Sequence, residues 1–512
     1  MLAERPSAPS AGPAELRLTL SLSGGASLGA YQAGACAALL TGIGHLRDEA
    51  GVDVRLDAVG GASAGAIVAV MAAHSVLEGL DAAAVMRSAW VERVSLDTLL
   101  RGGSRGPLSL EKVRQDLPGL LDDAAHTYEG QPHPLVLHIA LTGLRGLTYE
   151  IAGLRSSEQL VGVTYADWKD FRLEPGRGVR QLVEPAGASP LETAMASASH
   201  PGAFAPRVLD RRGDRDGYQA QGLSNVPASG WLWYTDGGLV QHEPMGGLLA
   251  AARLVDDGDD RSHRLALMIH PRSKEPTDAE EWSERDHQPS WAAGLSRGLA
   301  VVSEQPLYDD LRKVNRDNSR LSWAQALREA LEPHLGDGAR QPLAELLRDI
   351  ADQRQARRAG SDSELDDLPA ADADTIDLLS RAIHDVGGLG GKRRQAVDLI
   401  SPLLIAGRTD ENVSQLLAGE LMGDFGGFLH RDLRESDFAL GYESTLCWAG
   451  EGLERCGLPE QTVAAAVEAI RHARPVAWED VRQGASTSRD LPWRARVRLA
   501  HFLLRMVRAL LR

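Results

Sequence analysis

Apolar and polar residues alternate from Leu16 to Leu22 (LRLTLSL), a period of two that predicts a β-strand. A loop of small residues, Ser23 to Gly29, follows it. The next segment, AYQAGACAALLTGIGHLRDEA, reads as a helix interrupted by Gly34 and Gly42. Val52 to Val59 predicts a second strand and Gly60 to Gly65 a second tight loop. AIVAVMAAHSVLEGL then predicts a strongly apolar helix. A strand–loop–helix unit used twice in succession is the mark of a mainly parallel sheet with helices on its faces, an α/β fold.

Further strands are expected at PLVLHIALTGL (134–144), at WLWYTDGG (231–238), where the strand runs into a glycine turn, and at RLALMIHP (264–271). EPMGGLLAAARLV, between the last two, has helical texture. Beyond residue 272 the pattern changes. A polar linker (277–290) leads into helical periods without clear strands, interrupted by a charged, small-residue-rich segment at 354–375. The expected organisation is a disordered tail over 1–15, an α/β domain over 16–275 and a mostly α-helical extension over 276–512. The simplest role for that extension is to cover one face of the α/β domain.

Composition narrows the function. With 512 residues and 43% hydrophobic side chains the chain can build a sizeable core. The 71 acidic against 55 basic residues, a net charge of −16, argue against a nucleic-acid partner. Cys36, Cys447 and Cys456 are too few for a disulfide framework, and no His/Cys spacing suits zinc. A reducing, cytoplasmic location is expected, and no metal or cofactor is implied. The first residues lack the basic start and apolar run of a secretory leader. No stretch is expected to reach the ~18 consecutive apolar residues of a membrane span.

Two segments match G-x-S-x-G: Gly25 to Gly29, around Ser27, and Gly61 to Gly65, around Ser63. Each falls between a strand and a helix, where a serine can be lifted above the sheet with a helix N-terminus behind it. Ser63, between two alanines and ahead of an uninterrupted apolar helix, is the better nucleophile. The longer loop around Ser27 suits the other task, presenting backbone N–H groups to an oxyanion. A serine also needs a base. Asp236, with Gly237 and Gly238, ends a predicted strand, at the edge where α/β sheets hold ligands. His200 and His242 are the rival bases, as members of a Ser-His-Asp set.

GGASLGAYQAG, GASAG, ASASHPGAFAP and DGG, in that order, resemble the bacterial patatin-like phospholipases over about residues 16–250. The resemblance implies an α/β domain related to cytosolic phospholipase A2 and a Ser–Asp dyad without a catalytic histidine. It assigns Ser63 as nucleophile, Asp236 as base, and Gly24, Gly25 and Ala26 as the oxyanion loop. Gly29, Gly61, Gly65, Gly237 and Gly238 complete the motifs, and the substrate would be a lipid or other carboxylic ester. GGFLHRDLRESDFALGY (426–442) resembles a C-terminal segment of some patatin-related proteins. Two positions depart from the family. Leu28 stands where a basic residue is usual, and His242-Glu243-Pro244 where many members have Asn before Pro.

Two other readings compete. One is a patatin-fold lipid-binding or scaffold protein without turnover. The other is a dinucleotide site, for which the first loop reads G-x-A-x-x-G and Asp57 is the only candidate for the acidic residue. Finally, Arg494, Arg498, His501, Arg505, Arg508 and Arg512 recur at helical spacing. Leu499, Leu503, Met506, Val507 and Leu510 lie opposite, with Arg496 intruding. This basic amphipathic helix, 494–512, suits either an anionic membrane surface or docking on the protein's own helices.

Overall fold

The structure, a computed structural model, describes residues 15–101, 105–151, 160–241, 244–255, 263–271, 312, 314–334, 342, 345, 396–409, 413–420, 424–483 and 492–510. The expected tail, the 277–290 linker, the charged 354–375 segment and His242 lie outside these residues.

The described strands form one mixed sheet. β1 (Leu16–Leu22), β2 (Val54–Gly61), β3 (Leu135–Ile151), β4 (Leu160–Leu173), β5 (Arg207–Asp210), β6 (Leu223–Ser224), β7 (Trp231–Thr235), β8 (His263–Ile269) and β9 (Ala396–Ile400) lie in the order β5-β7-β3-β2-β1-β8-β9, with β4 and β6 also paired to β3. The centre, β3-β2-β1-β8, is parallel, and β4, β6 and β7 pair antiparallel with β3. Every residue of β1 and β2 is buried, as central parallel strands covered on both faces should be.

Helices α1 (Gly29–Asp48) and α2 (Ala64–Glu78) follow the first two strands. α3 (Ala82–Arg87), α4 (Leu96–Leu99) and α5 (Glu111–Asp122) come next, with a π-helical turn over Ser88–Arg93 after α3. α6 (Pro190–Ser197) packs against α2 and β3, and α7 (Met245–Ala252) packs against β1, β2 and β3. The C-terminal part adds α8 (Gly426–Leu429), α9 (Arg431–Arg455), α10 (Glu460–His472) and α11 (Trp493–Leu510).

Four expectations need correcting. α1 is not interrupted. Its Gly34 is the crossing point with α9, where a Cβ would stand 1.9 Å from Phe438 O, and Gly441 of α9 meets Tyr31 O at the same distance. The glycines therefore let two helix backbones touch rather than break either helix. Residues Ala26–Asp48 are long and apolar enough to cross a membrane, contrary to the sequence expectation, but 94% of that window is buried as core. The C-terminal half is not strand-free, because β9 joins the sheet edge next to β8, where His270 N–H donates to Ile400 O at 3.0 Å. The strand at 134–144 runs on to Ile151 and returns as β4, a long hairpin.

By compactness the chain separates into Met1–Leu307 with Val397–Arg512, and Tyr308–Ala396. The C-terminal helices thus share a unit and a core with the α/β domain. In the second unit a helix covers 314–331 and buries Leu321 and Ala324.

Candidate active site

β1 and β2 end side by side, so the two glycine loops emerge together. They interlock closely: Ala62 N–H donates to Leu22 O at 3.2 Å, and a Cβ on Gly65 would stand 2.4 Å from Ser23 O. Only glycine at 65 allows that approach, and Gly61 is crowded by Gly65 and Leu22 in the same way.

Ser63 caps α2 with φ +55° and ψ −125°, a conformation that costs an L-residue energy and that accumulates at functional sites. The surrounding bonds hold it there. Its N–H donates to Ser197 Oγ at 2.9 Å, and Ser197 Oγ donates to Ala140 O at 2.7 Å. Its Oγ donates to Asp236 Oδ2 at 2.6 Å. Asp236 follows β7 directly and is 3% exposed. Its Oδ1 accepts from Gly238 N–H at 2.8 Å, while Gly237 lies tight against Ala140 O. Burial raises the Asp236 pKa above the ordinary carboxylate value, opposed by the Ser63 hydrogen bond, the electrostatic influence of nearby His200 and the Gly238 N–H.

Of the rival bases, His200 makes its hydrogen bond within its own turn, accepting from Gly202 N–H at 3.2 Å, and its ring meets Phe425 edge-on at 5.8 Å. It lines the pocket, but Asp236 is the group bonded to Ser63. Asp57, the acidic residue a dinucleotide site would use, is buried among Arg17, Arg55 and Arg264, with Arg17 Nε donating to it at 2.8 Å. It is a core ion-pair centre with no access to a ligand.

In the first loop, the N–H groups of Gly24, Gly25 and Ala26 have no hydrogen-bond acceptor among the described residues. Ala26, at φ +43°, lines the same pocket as Ser63. Gly29 leaves room for the Trp90 ring, and Leu28, at the family's basic position, is fully buried. Gln32 Nε2 holds the loop from inside, donating to Ser23 O at 2.6 Å.

From outside, the loop is held by residues about 400 positions away. Ser27 Oγ donates to Asp424 O and accepts from Gly427 N–H at 3.0 Å. Arg434, whose pKa burial pulls down to about 10, donates to Gly427 O and Val91 O. Asp437, pushed up to about 8 by burial, accepts from Ala418 N–H at 2.8 Å. The 426–442 motif therefore forms the outer support of the first loop. The pocket above Ser63 is apolar, walled by Ile67, Trp90, Leu99, Phe204, Phe425 and Phe428. Phe428 falls in the 426–442 segment, whereas Trp90 and Phe425 carry no motif and were invisible to sequence reasoning. Among the described residues no group of three or more His, Cys, Asp or Glu is placed to hold a metal.

The fold and the order of its motifs define a patatin-like α/β domain. The family model for patatin-like phospholipase matches residues 20–249, which are a patatin-like phospholipase domain. No curated protein matches the chain. A solved structure, VipD from Legionella pneumophila, aligns over 94% of each chain at 12% identity, with a TM-score of 0.23. At that score the likeness carries no argument about fold or activity.

Proposed function

We propose that the protein is a serine acyl hydrolase acting on carboxylic esters of lipids through a Ser63–Asp236 dyad. The observation that carries this reading is the 2.6 Å hydrogen bond from Ser63 Oγ to a buried Asp236, at the floor of an apolar pocket. Ser63 Oγ attacks the ester carbonyl as its proton passes to Asp236 Oδ2. The oxyanion is met by the N–H groups of Gly24, Gly25 and Ala26 and by the N-terminal end of α2. Collapse expels the alcohol, which takes the proton from Asp236 and leaves an acyl-enzyme on Ser63. Water then adds to the acyl carbonyl as its proton passes to Asp236; the acyl–Oγ bond breaks, Asp236 returns the proton to Ser63 Oγ, and the acid is released. The pocket walls suit an acyl chain, and the patatin-like domain supports a lipid substrate. The buried or half-buried free thiols Cys36, Cys447 and Cys456 go with a reducing, cytoplasmic setting.

A p-nitrophenyl ester series of increasing chain length tests the reading. Turnover by the unaltered protein, lost in Ser63→Ala with the circular dichroism spectrum retained, is expected. A folded wild-type protein without turnover would favour a lipid-binding patatin domain that has no hydrolytic role.

A further inference from the structure

The C-terminal helix presents apolar residues on two sides. One side of α11 docks on the protein. Ala495 and Phe502 are buried there, Leu499 and Met506 half-buried, and the Phe502 ring stacks on Phe425 at 6.4 Å and 14°. Two arginines of the expected basic stripe turn inward with them. Arg498 pairs with Asp97 at 2.5 Å, and Arg505 donates to Leu100 O at 2.9 Å and to Pro107 O at 3.3 Å. Two of these attachments lie beside the Ser63 pocket: Phe425 lines it, and α4, which carries Asp97, supplies Leu99 to it.

At 3.6 residues per turn the opposite side of α11 carries Trp493, Val497, Leu504 and Val507. Their exposures are 69, 58, 49 and 53%. A helix whose only task were docking would turn polar residues to water here. Single exposed apolar residues are ordinary, but four large ones along one helix face are not. Arg494 and Arg508 flank this stripe, exposed, with the Arg494 guanidinium over the Trp493 ring at 5.6 Å. Between Pro492 and Arg512 there is no acidic residue, on a chain of net charge −16.

We propose that α11 is an interfacial helix. Its docked side fixes the rim of the Ser63 pocket, and its outer face inserts into the headgroup region of an anionic phospholipid bilayer. This rests on the lipid acyl hydrolase reading for its purpose but not for its measurement. Charge complementarity selects the occupant: an aromatic and aliphatic stripe edged by arginines, without a carboxylate, fits negatively charged headgroups over a hydrocarbon layer. Docked as it is, the helix would bring the bilayer to the pocket mouth, so that a lipid need only shift out of its leaflet to reach Ser63.

Sedimentation of the full chain with sucrose-loaded vesicles tests this, using phosphatidylcholine alone and phosphatidylcholine mixed with phosphatidylglycerol, at low and high salt. Binding to the anionic vesicles is expected to exceed binding to the neutral ones by about tenfold at low salt and to fall with salt. Trp493→Ser/Val497→Ser/Leu504→Ser should weaken it about tenfold. Arg494→Glu/Arg508→Glu should remove the preference for phosphatidylglycerol. Both variants touch only exposed side chains, so both should keep the wild-type melting temperature and soluble short-chain ester turnover within about twofold. Equal binding to both vesicle types, or wild-type binding by the triple variant, would overturn the proposal. So would retention on immobilised polyglutamate without vesicle binding, which would make the face a protein contact. Because binding is read without turnover, a protein that sediments with anionic vesicles yet hydrolyses no ester supports the interface and contradicts only the hydrolase reading.

Discussion

Ser27 and Ser63 hold the same place in two G-x-S-x-G loops, each between a strand and the helix that follows it. Ser63 is forced to φ +55°, with Oγ on a buried carboxylate and a pocket above it. Ser27 lies in a 3-10 turn, wholly buried, with Oγ tied to Asp424 O and Gly427 N–H. A hydroxyl bonded to a carbonyl and an amide has no group to take its proton, and a buried one has no substrate to attack. On the hydrolase reading, what would separate nucleophile from structural serine is the turn that aims the side chain and the partner that can receive its proton, neither of which the motif specifies.

The comparison can be broken most sharply at Ser63. Ser63→Ala should lower kcat for a soluble ester by roughly 10³-fold or more without altering the fold. Asp236→Asn should cost about 10²–10⁴-fold, since an amide cannot accept the serine proton. The same base sets a pH limit. Only the ionised carboxylate accepts a proton, and burial favours its neutral form. Falling pH should therefore extinguish kcat/KM at a higher pH than an ordinary carboxylate would. A pH–rate profile whose acid limb lies at or below the usual Asp range would contradict this.

The first loop should respond differently. At Gly25 an added Cβ meets Leu28 Cβ at 3.3 Å and Pro271 Cγ at 3.5 Å, so the larger valine must displace the loop. Gly25→Val is expected to lower kcat by about 10²-fold with little change in KM, as expected for loss of an oxyanion donor. Unchanged kcat would reduce the loop to a turn. Ser27→Ala should lower kcat by only a few-fold, because the loop loosens but no reacting atom is lost. It strands the buried Gly427 N–H, costing about 1–3 kcal/mol of stability, readable as a lower melting temperature. His200→Ala, which removes a wall residue of the pocket, should change kcat by less than about tenfold. A loss as large as that of Asp236→Asn would restore histidine as the base.

The α/β core and the hydrogen-bonded Ser63–Asp236 pair were legible because their signals are local. Alternation in LRLTLSL, glycines flanking Ser63 and the Asp-Gly-Gly turn each record a constraint within a few residues of the chain. The support of the first loop was not, because it joins Ser27 to Asp424, Gly427 and Arg434 across about 400 residues, and nothing near Ser27 encodes that partner. Glycine misled in α1 for a related reason. Gly34 is needed for the approach of Phe438, a contact that helix propensity does not see. β4 could have been found, since Val161, Val163 and Tyr165 alternate as a strand should. β9 is short and lies far along the chain from the β8 edge that it joins. In the C-terminal helix the period was read correctly but the docked edge was not. Arg498 and Arg505 face the protein because Asp97 and two carbonyls wait there.

The most direct test of the account is covalent. A fluorophosphonate reacts with an activated serine and stays on it, so digestion and peptide mass mapping identify the attacking oxygen. The account predicts a single adduct on the peptide containing Ser63, abolished in Ser63→Ala and slowed in Asp236→Asn. An adduct on Ser27, or labelling that survives Ser63→Ala, would contradict it.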